Sequence, residues 1–284
     1  MSRIEKAIEK ASKMRDSMET GKAVTVPDKE NRPENKAVLD KKAVTVSDKV
    51  NIVNPYVITL NNPGSPISEQ YRNLKSMVVR LTQKQGFKNT LMVTSTSGSE
   101  GKSLTAVNLA ITLAQEYDHT VLLVDADFRN PSLHRYLNIN PEIGLSDYLI
   151  NGHDIGMALI KTGIGKLTFL PTGRNVADPA EILSSRKMKE LINEMKHRYS
   201  DRYIIIDTPP VLPFAETRSI GAVVDSTIFV VKEGMVPLYD IKDALDILKD
   251  CNILGMVYND AGFENLRGHY SYYYKQYSGN GDGA

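Results

Sequence analysis

One stretch of small residues with a single lysine carries the clearest chemical signal in the chain. Residues 96–103 read TSGSEGKS, after the short apolar run LMVTS (91–95) and before the helix-like segment SLTAVNLAITLAQEY (103–117). Small residues let backbone N–H groups surround a phosphate, and a helix N-terminus adds partial positive charge. The pattern predicts a phosphate-binding loop (P-loop), with Lys102 at the β- and γ-phosphates and Ser103 at magnesium.

We expect ATP, with Mg²⁺, to contact the loop and a few neighbouring positions. The first loop residue is Thr96, where glycine is usual. Arg129 either steadies an anionic group or braces the end of a strand. Asn259 either contacts the adenine or forms a turn. The predicted nucleotide contacts are Ser97, Gly98, Ser99, Glu100, Gly101, Lys102, Ser103, Leu104, Arg129 and Asn259.

Three aspartates follow apolar runs that are typical of buried strands. Asp125 ends VLLVD, Asp127 follows it, and Asp207 ends YIIID. Ligands bind at the carboxyl ends of strands in open α/β sheets, so these carboxylates are candidates for the reaction centre. Each could instead cap a strand–helix turn. The predicted catalytic set is Lys102, Asp125, Asp127 and Asp207, and the predicted magnesium ligands are Ser103, Asp125 and Asp207.

The elements that position these residues alternate between strands and helices. Unbroken Val/Ile/Leu runs predict strands at 91–95, 121–125, 166–171, 203–207, 226–231 and 253–259. Helical signals lie between them, including Ser65–Pro66 opening a helix to about residue 83 and an Asp178–Glu181 capping box opening one to about residue 199. This alternation predicts an α/β, doubly wound, mainly parallel sheet with helices on both faces, as in P-loop NTPases.

The two ends of the chain differ from this central part. Residues 2–16 have helical spacing and suggest a docking helix or a membrane-surface helix. KAVTVPDK (22–29) recurs as KAVTVSDK (42–49) in a polar stretch that suggests a linker. We therefore expect an N-terminal helix and flexible linker over 1–50, a P-loop domain over 51–262 and a flexible tyrosine-rich tail over 263–284.

The composition narrows the class of protein. The formal charge is +1, which gives no global field for nucleic acid. The one cysteine, Cys251, fits a packing role and a reducing cytoplasm. No run approaches the roughly 18 apolar residues of a membrane span. The expectation is a cytoplasmic protein, unless a partner tethers it to a membrane.

From about Ile67 onward the sequence resembles the bacterial tyrosine kinases, the P-loop autokinases of capsule and exopolysaccharide export. LLVDADFR (122–129) matches the family's second Walker-type motif and IIIDTP (204–209) its Walker B motif. EQYRNLK (69–75) matches the helix motif Glu-x-x-Arg-x-x-Arg that packs these kinases into rings, except that lysine replaces the last arginine. The resemblance thus implies oligomerisation through Glu69, Arg72 and Lys75, with Asp125 or Asp127 as the base.

The C-terminal segment GHYSYYYKQYSGNGDGA completes the resemblance. Five tyrosines lie within eight residues, too many in a polar terminus for all of them to be core. A sticky aromatic surface is the plain alternative. The resemblance implies that they are phosphoacceptors, presented to a neighbouring subunit: Tyr270, Tyr272, Tyr273, Tyr274 and Tyr277.

The resemblance also implies partners. They are further copies of the chain, a chain-length-determinant membrane protein acting through its cytoplasmic segment, and a cognate tyrosine phosphatase. The start of the chain is similar to stand-alone autokinases of exosortase-associated loci, which would place it at the inner face of the plasma membrane. The rival hypotheses are a positioning or partitioning P-loop ATPase and a non-catalytic nucleotide-binding scaffold. Positioning ATPases carry an extra lysine early in the loop, and residues 96–100 contain none.

Overall fold

The computed structural model describes residues 44–45, 54–84 and 86–262, which all belong to one compact unit. The predicted helix at 2–16 lies outside the described residues, as do the first copy of the repeat and the tail 263–284 with its tyrosines. The predicted boundaries at residues 50 and 262 therefore stay predictions.

The described strands form one eight-stranded sheet in the order β1-β4-β5-β3-β6-β2-β7-β8. All neighbouring pairs run parallel except β4 and β5. Sequence neighbours are rarely sheet neighbours, so most connections cross over the sheet, which confirms the predicted mainly parallel, doubly wound fold. The strands are β1 (Val44–Thr45), β2 (Thr90–Ser95), β3 (Thr120–Asp125), β4 (Ile160–Lys161), β5 (Leu167–Leu170), β6 (Arg202–Asp207), β7 (Ser226–Lys232) and β8 (Ile253–Asn259).

Ten helices accompany these strands within the described ranges. They are α1 (Ile58–Asn61), α2 (Pro66–Thr82), α3 (Lys102–Ala114), α4 (Leu133–Tyr136), α5 (Leu145–Asn151), α6 (Ile155–Ala158), α7 (Pro179–Ser184), α8 (Arg186–Arg198), α9 (Glu216–Gly221) and α10 (Leu238–Ile247). Among these residues, no helix has both the length and the apolar character to cross a bilayer.

Alternate residues of the central strands enter two different cores. On β6, Ile205 packs into the core that contains α3, while Ile204 and Ile206 pack into the core that contains α8 and α10. Successive side chains of a strand point to opposite faces, so a strand covered on both sides must be apolar throughout. This is why the strands read as unbroken apolar runs, and it confirms helices on both faces.

The predicted helix limits hold at some positions and fail at others. Ser65 caps α2 by accepting a hydrogen bond from the Ser68 N–H at 3.1 Å, and Pro66 takes the first turn, as expected. The helix predicted to run to about residue 199 is instead two helices. Ser185 is extended (ψ 155°) and caps α8 through its hydroxyl, so the helical hydrogen bonding is interrupted there.

The stretch predicted to be a linker contributes one short strand to the sheet. Val44 pairs with Ile160 and Thr45 with Lys161. The second copy of the KAVTV repeat therefore supplies the outermost strand beside β4, at the edge opposite to β8.

One buried asparagine ties the segment before α2 to the helix that follows the P-loop. The Asn108 side-chain oxygen accepts hydrogen bonds from the Thr59 N–H (3.1 Å) and hydroxyl (2.9 Å), and its amide donates to the carbonyls of Tyr56 and Leu104. Asn108 and Thr59 are buried, and an unpaired polar group in such a place is costly.

Asn108→Ala should therefore destabilise the protein by about 2 to 4 kcal/mol, because it leaves Thr59 and the Tyr56 carbonyl without their buried partner. Urea unfolding followed by circular dichroism measures this loss. Asn193→Ala, on the exposed face of α8, is the control and should change stability by less than about 0.5 kcal/mol. Equal midpoints for the two variants would contradict the assignment.

Candidate nucleotide site

Three neighbouring strands end at the same edge of the sheet and bring the predicted residues together. In the pairing of β3 with β6, Asp125 lies directly opposite Asp207. β6 also pairs with β2, whose C-terminal end runs into the loop 96–101. The carboxylates and the loop therefore meet, as the sequence predicted from parallel strands alone.

Lys102 sits at the centre of this group. Its ammonium contacts the Asp127 carboxylate at 2.6 Å and the Ser103 hydroxyl at 3.2 Å. Burial opposes the positive charge, but the carboxylates of Asp207, Asp127 and Asp125 outweigh it and raise the pKa of Lys102. The lysine is therefore a fixed cation, held where a polyphosphate would need one.

Asp125 is fully buried and its oxygens face backbone donors. One oxygen accepts from the Asp127 N–H (3.3 Å), and the other accepts from the N–H groups of Ser132 (3.2 Å) and Leu133 (3.1 Å). Burial and the neighbouring Asp207 raise its pKa well above the usual range, against the Leu133 hydrogen bond. A carboxylate in this state is a better proton acceptor than an ordinary aspartate.

Asp127 differs from Asp125 in that one of its oxygens is held by an ion pair. One oxygen pairs with Lys102, and the other accepts from the N–H groups of Arg129 (3.2 Å) and Asn130 (3.0 Å). The carboxylate thus fixes both the lysine and the turn after β3.

Asp207 lacks such partners although it is completely buried. Neither of its oxygens has a hydrogen-bond partner of normal geometry among the described residues, although the Ser103 hydroxyl is near enough to lower its pKa. Burial dominates and raises the pKa of Asp207 to about 6. An unsatisfied buried carboxylate beside a hydroxyl fits a place for a cation that this group and Ser103 would help to hold.

The described residues do not form a complete metal site by themselves. Within the described ranges, no cluster of three or more His, Cys, Asp or Glu side chains is suited to hold a metal ion. Magnesium usually keeps waters and takes oxygens from phosphates, so this donor set fits a metal that arrives with a nucleotide.

Contacts on the buried side of the loop fix the conformation of its backbone. Ser99 (φ 67°) and Gly101 (φ 91°) take left-handed backbone conformations, and Gly98 and Ser99 are exposed. The buried Glu100 carboxylate accepts from the N–H groups of Ser97 (2.6 Å) and Lys232 (3.3 Å). Glu100, predicted to contact nucleotide, therefore turns its side chain away from solvent and fastens the loop to β7.

Asn259 lies against the same loop and not in open solvent. Its side-chain amide donates to the Glu100 carbonyl at 2.9 Å. A Cβ on Gly101 would lie 2.1 Å from the Asn259 amide nitrogen, so only glycine fits there. The structure thus gives Asn259 a contact with the P-loop, a role that neither sequence hypothesis had named.

Arg129 braces the end of its strand. Its guanidinium donates to the buried Glu216 carboxylate at 2.9 Å and lies over the Phe214 ring, 4.8 Å from the centroid. Glu216 and Phe214 were missed because they lie more than 80 residues away in sequence, with no motif around them. Leu104 packs its side chain against the apolar core beneath α3.

Two further features escaped the sequence interpretation. Thr96, at the first loop position, is fully buried, and its carbonyl accepts from the Leu212 N–H at 3.2 Å. Tyr136 ends α4 close to the site, where burial and the charge of Asp207 raise its pKa. The apolar spacing around Tyr136 gives no signal of that proximity.

Comparisons with known proteins agree with this geometry. A family model described as an AAA domain matches residues 88–252. The chain is 34% identical over 205 residues to the tyrosine-protein kinase YwqD of Bacillus subtilis, a match covering 72% of this chain and 85% of YwqD. The fold is similar to the chimerical protein CapA2B2 (TM-score 0.67, 28% identity, 73% and 90% of the two chains). It is also similar to the kinase domain of Escherichia coli tyrosine kinase ETK (TM-score 0.66, 26% identity, 72% and 79%).

A positioning ATPase is a more distant structural neighbour. The septum site-determining protein MinD of Pyrococcus horikoshii, solved with Mg-ADP, matches with a TM-score of 0.52 and 25% identity, over 64% of this chain and 72% of that protein. The resemblance noted in the sequence motifs is therefore confirmed at the level of the whole domain.

The unpaired Asp207 carboxylate should destabilise the nucleotide-free protein. Asp207→Asn removes a buried charge and should raise the free energy of unfolding by about 1 to 3 kcal/mol at pH 7.5, while abolishing catalysis. Thermal or urea unfolding without nucleotide measures the gain, and a less stable variant at that pH would contradict it.

The same carboxyl sets a pH dependence. Because its pKa is higher in the folded protein than in the unfolded chain, it favours folding most below about pH 4, and that contribution is lost as the pH rises to about 6. The gain from Asp207→Asn should therefore shrink as the pH is lowered from 7.5 to 5. A gain that stays constant across this range would point to a cause other than ionisation.

Proposed function

The chain belongs to the bacterial tyrosine-protein kinases, and from that premise we propose that it phosphorylates its own tail in trans, in the service of exopolysaccharide synthesis or export. The acceptors proposed are the five tyrosines between Tyr270 and Tyr277. The substrate is ATP with Mg²⁺, and the products are ADP and phosphotyrosine.

The observation that carries this proposal is the Lys102–Asp127 pair beside Asp125 and Asp207, at the foot of the loop 96–101. A fixed cation and buried carboxylates are what transfer of a phosphoryl group requires, because the reaction needs charge stabilisation more than covalent chemistry. The tyrosine cluster then supplies a substrate on the same chain.

In the proposed reaction, a tyrosine oxygen forms a bond to the γ-phosphorus while the bond from that phosphorus to the β–γ bridging oxygen breaks. The electron pair of the broken bond leaves with ADP, and the tyrosine proton passes to a carboxylate. We assign that role to Asp125 and not to Asp127, because Asp127 is already ion-paired with Lys102. The raised pKa of Asp125 favours it as a proton acceptor for a phenol of pKa about 10.

The remaining groups bind and orient the reactants. Lys102 would hold the β- and γ-phosphates, and the exposed backbone at Gly98 and Ser99 is available to the phosphate oxygens. Ser103 and Asp207 are the side chains proposed to hold magnesium, directly or through water, and Asp125, which the sequence also offered as a ligand, is assigned to the proton instead. When bound, the metal would neutralise charge on the phosphates.

The proposed ring contact rests on α2. Arg72 is half-exposed and pairs with Glu69 at 2.5 Å, so this pair is available at the surface. Lys75 instead pairs with Glu116 at 2.8 Å, at the end of the P-loop helix. We therefore propose that Glu69 and Arg72 contact the neighbouring subunit, while Lys75 joins α2 to α3. Phosphorylated tails would repel one another and loosen such an assembly.

We place the protein at the inner face of the plasma membrane, held there by a chain-length-determinant membrane protein. That protein's cytoplasmic segment is the proposed activator, and a cognate tyrosine phosphatase would reset the tail. The support for these partners is the family membership together with the tyrosine cluster.

The first test uses the full-length chain with ATP and Mg²⁺, with and without the candidate partner's cytoplasmic segment. Mass spectrometry of the C-terminal peptide should find phosphate on Tyr270–Tyr277 in wild type and none in Lys102→Ala. ATP hydrolysis with an unmodified tail, even with that segment added, would instead favour a positioning ATPase.

A mixing experiment separates transfer in trans from transfer in cis. The Lys102→Ala chain serves as acceptor, and an active chain with all five tail tyrosines changed to Phe serves as donor. Phosphate on the Lys102→Ala tail is the expected result, and an unmodified acceptor beside an active wild type would rule out transfer in trans.

Two conservative substitutions distinguish the aspartates. Asp125→Asn should lower the transfer rate by about 10² to 10⁴-fold with ATP affinity nearly unchanged, because it removes a proton acceptor. Asp127→Asn should weaken ATP binding as well, because Lys102 loses its partner. Rapid-quench rates and nucleotide titration measure the two effects, and the opposite assignment would reverse them.

A further inference from the structure

An apolar patch lies on the surface near the end of the last strand. Its five side chains are between 42% and 67% exposed: Met235, Leu238, Tyr239, Met256 and Tyr258. Single exposed apolar residues are common on protein surfaces. Several that lie side by side are typical of a surface that binds another segment or protein.

The sheet register places two of these residues, Met256 and Tyr258, on one face of β8. Met256 pairs with Phe229 and Tyr258 with Val231, and both β7 residues belong to the core beneath α10. Met256 and Tyr258 therefore face the side of the sheet that carries α10, but beyond its cover. Leu238 and Tyr239 begin α10, after a short connection from the end of β7, so they reach the same end of the sheet.

The strand beneath the patch is also open along one side. β8 pairs with β7 and with no other strand in the described part of the chain. An edge strand with exposed apolar side chains is a surface that an extended peptide can cover.

The chain leaves the described part of the structure at this patch. Gly262, the last described residue, donates its N–H to the Glu233 carboxylate, and Glu233 is hydrogen-bonded to Tyr258. Lys232 pairs with Asp260 at 2.9 Å. The segment 263–284 thus begins against the patch. Its first acceptor, Tyr270, is eight residues further on, a reach of up to about 26 Å.

Charge and composition match this segment to the patch. Beside the apolar residues in sequence lie three acidic residues, Glu233, Asp240 and the exposed Asp243, against one lysine, Lys242, that has no ion pair among the described residues, since Lys232 is paired with Asp260. The tail carries Arg267 and Lys275 on either side of its first four tyrosines, while its two acidic residues, Glu264 and Asp282, lie at the ends of the segment. Uncharged phenol rings suit an apolar surface, and the two cations suit its acidic surroundings.

We infer that the unphosphorylated tail of each chain docks in cis on this patch, so that the surface holds its own substrate until it is modified. The inference rests on the proposed function, since it takes the tail tyrosines as phosphoacceptors. Attachment at Gly262 gives the tail a high effective concentration, so weak contacts suffice.

Phosphorylation would then end the docking. Each phosphate adds about −1.5 to −2 charges, so five would place roughly −8 to −10 on the tail. That charge must leave water to contact Met256 and Tyr258, and it faces the Glu233 and Asp240 carboxylates. The patch would thus bind the unphosphorylated tail and release the phosphorylated one.

Tryptic cleavage after Arg267 tests the docking in the full-length Lys102→Ala chain, without ATP. The double variant Met256→Ser/Tyr258→Ser should be cut about tenfold faster than its Lys102→Ala parent, because its tail is undocked more of the time. Tyr117→Ser, which removes a side chain 94% exposed at the other end of the sheet, is the matched control and should be cut like the parent. Met256→Leu/Tyr258→Phe should also keep the parental rate.

Equal cleavage rates in the Ser double variant and the control would overturn the inference. Protection that disappears on dilution would overturn the assignment in cis, since it would mean that the tail docks on another copy. Hydrogen exchange tests the switch: residues 253–259 should exchange faster in phosphorylated wild type than after phosphatase treatment, and equal rates would refute it. The cleavage experiment uses the Lys102→Ala chain without ATP and needs no catalysis. A negative result there would refute the docking without bearing on the kinase activity.

Discussion

The structure depends on burying one ammonium group among three carboxylates. The contact between Lys102 and Asp127 is short, and Asp125 and Asp207 stand within the same enclosed space. Burial, together with the repulsion that one cation leaves among three anions, raises the pKa of both Asp125 and Asp207. Breaking a buried ion pair leaves an uncompensated charge, so each member constrains the others. The surrounding strands must therefore be rigid enough to hold charges that repel one another.

That rigidity comes from parts of the chain that never approach a phosphate. The three central strands have both faces covered, and Asn108 joins the segment before α2 to the helix after the loop. Lys75 adds a second link between α2 and α3 through Glu116. The surface proposed for subunit contact and the helix that opens at Lys102 are thus neighbours in one packed layer. A shift of α2 on subunit contact would therefore act directly on α3, the helix that begins at Lys102.

The sequence predicted most of the fold because buried parallel strands must be apolar throughout, and such runs are visible without a structure. Asp125 and Asp207 could be placed at one edge because the ends of parallel strands meet. The two-residue strands β1 and β4 carry no run to detect. Ser185 splits a helix by local capping, which a helical pattern of apolar residues does not register. Arg129 and Glu216 are 87 residues apart in sequence, so no local pattern of residues predicts their contact.

Asn259 has a consequence for where the chain can be cut. Its amide holds the Glu100 carbonyl, and its side chain fills the space that Gly101 leaves vacant. A protease acting just after this residue would release all five tail tyrosines and still leave the loop supported. One acting a few residues earlier would take the support away with the tail. The support of the loop thus requires the chain at least as far as the end of the last strand, and a change of sequence beyond Asn259 leaves that support in place.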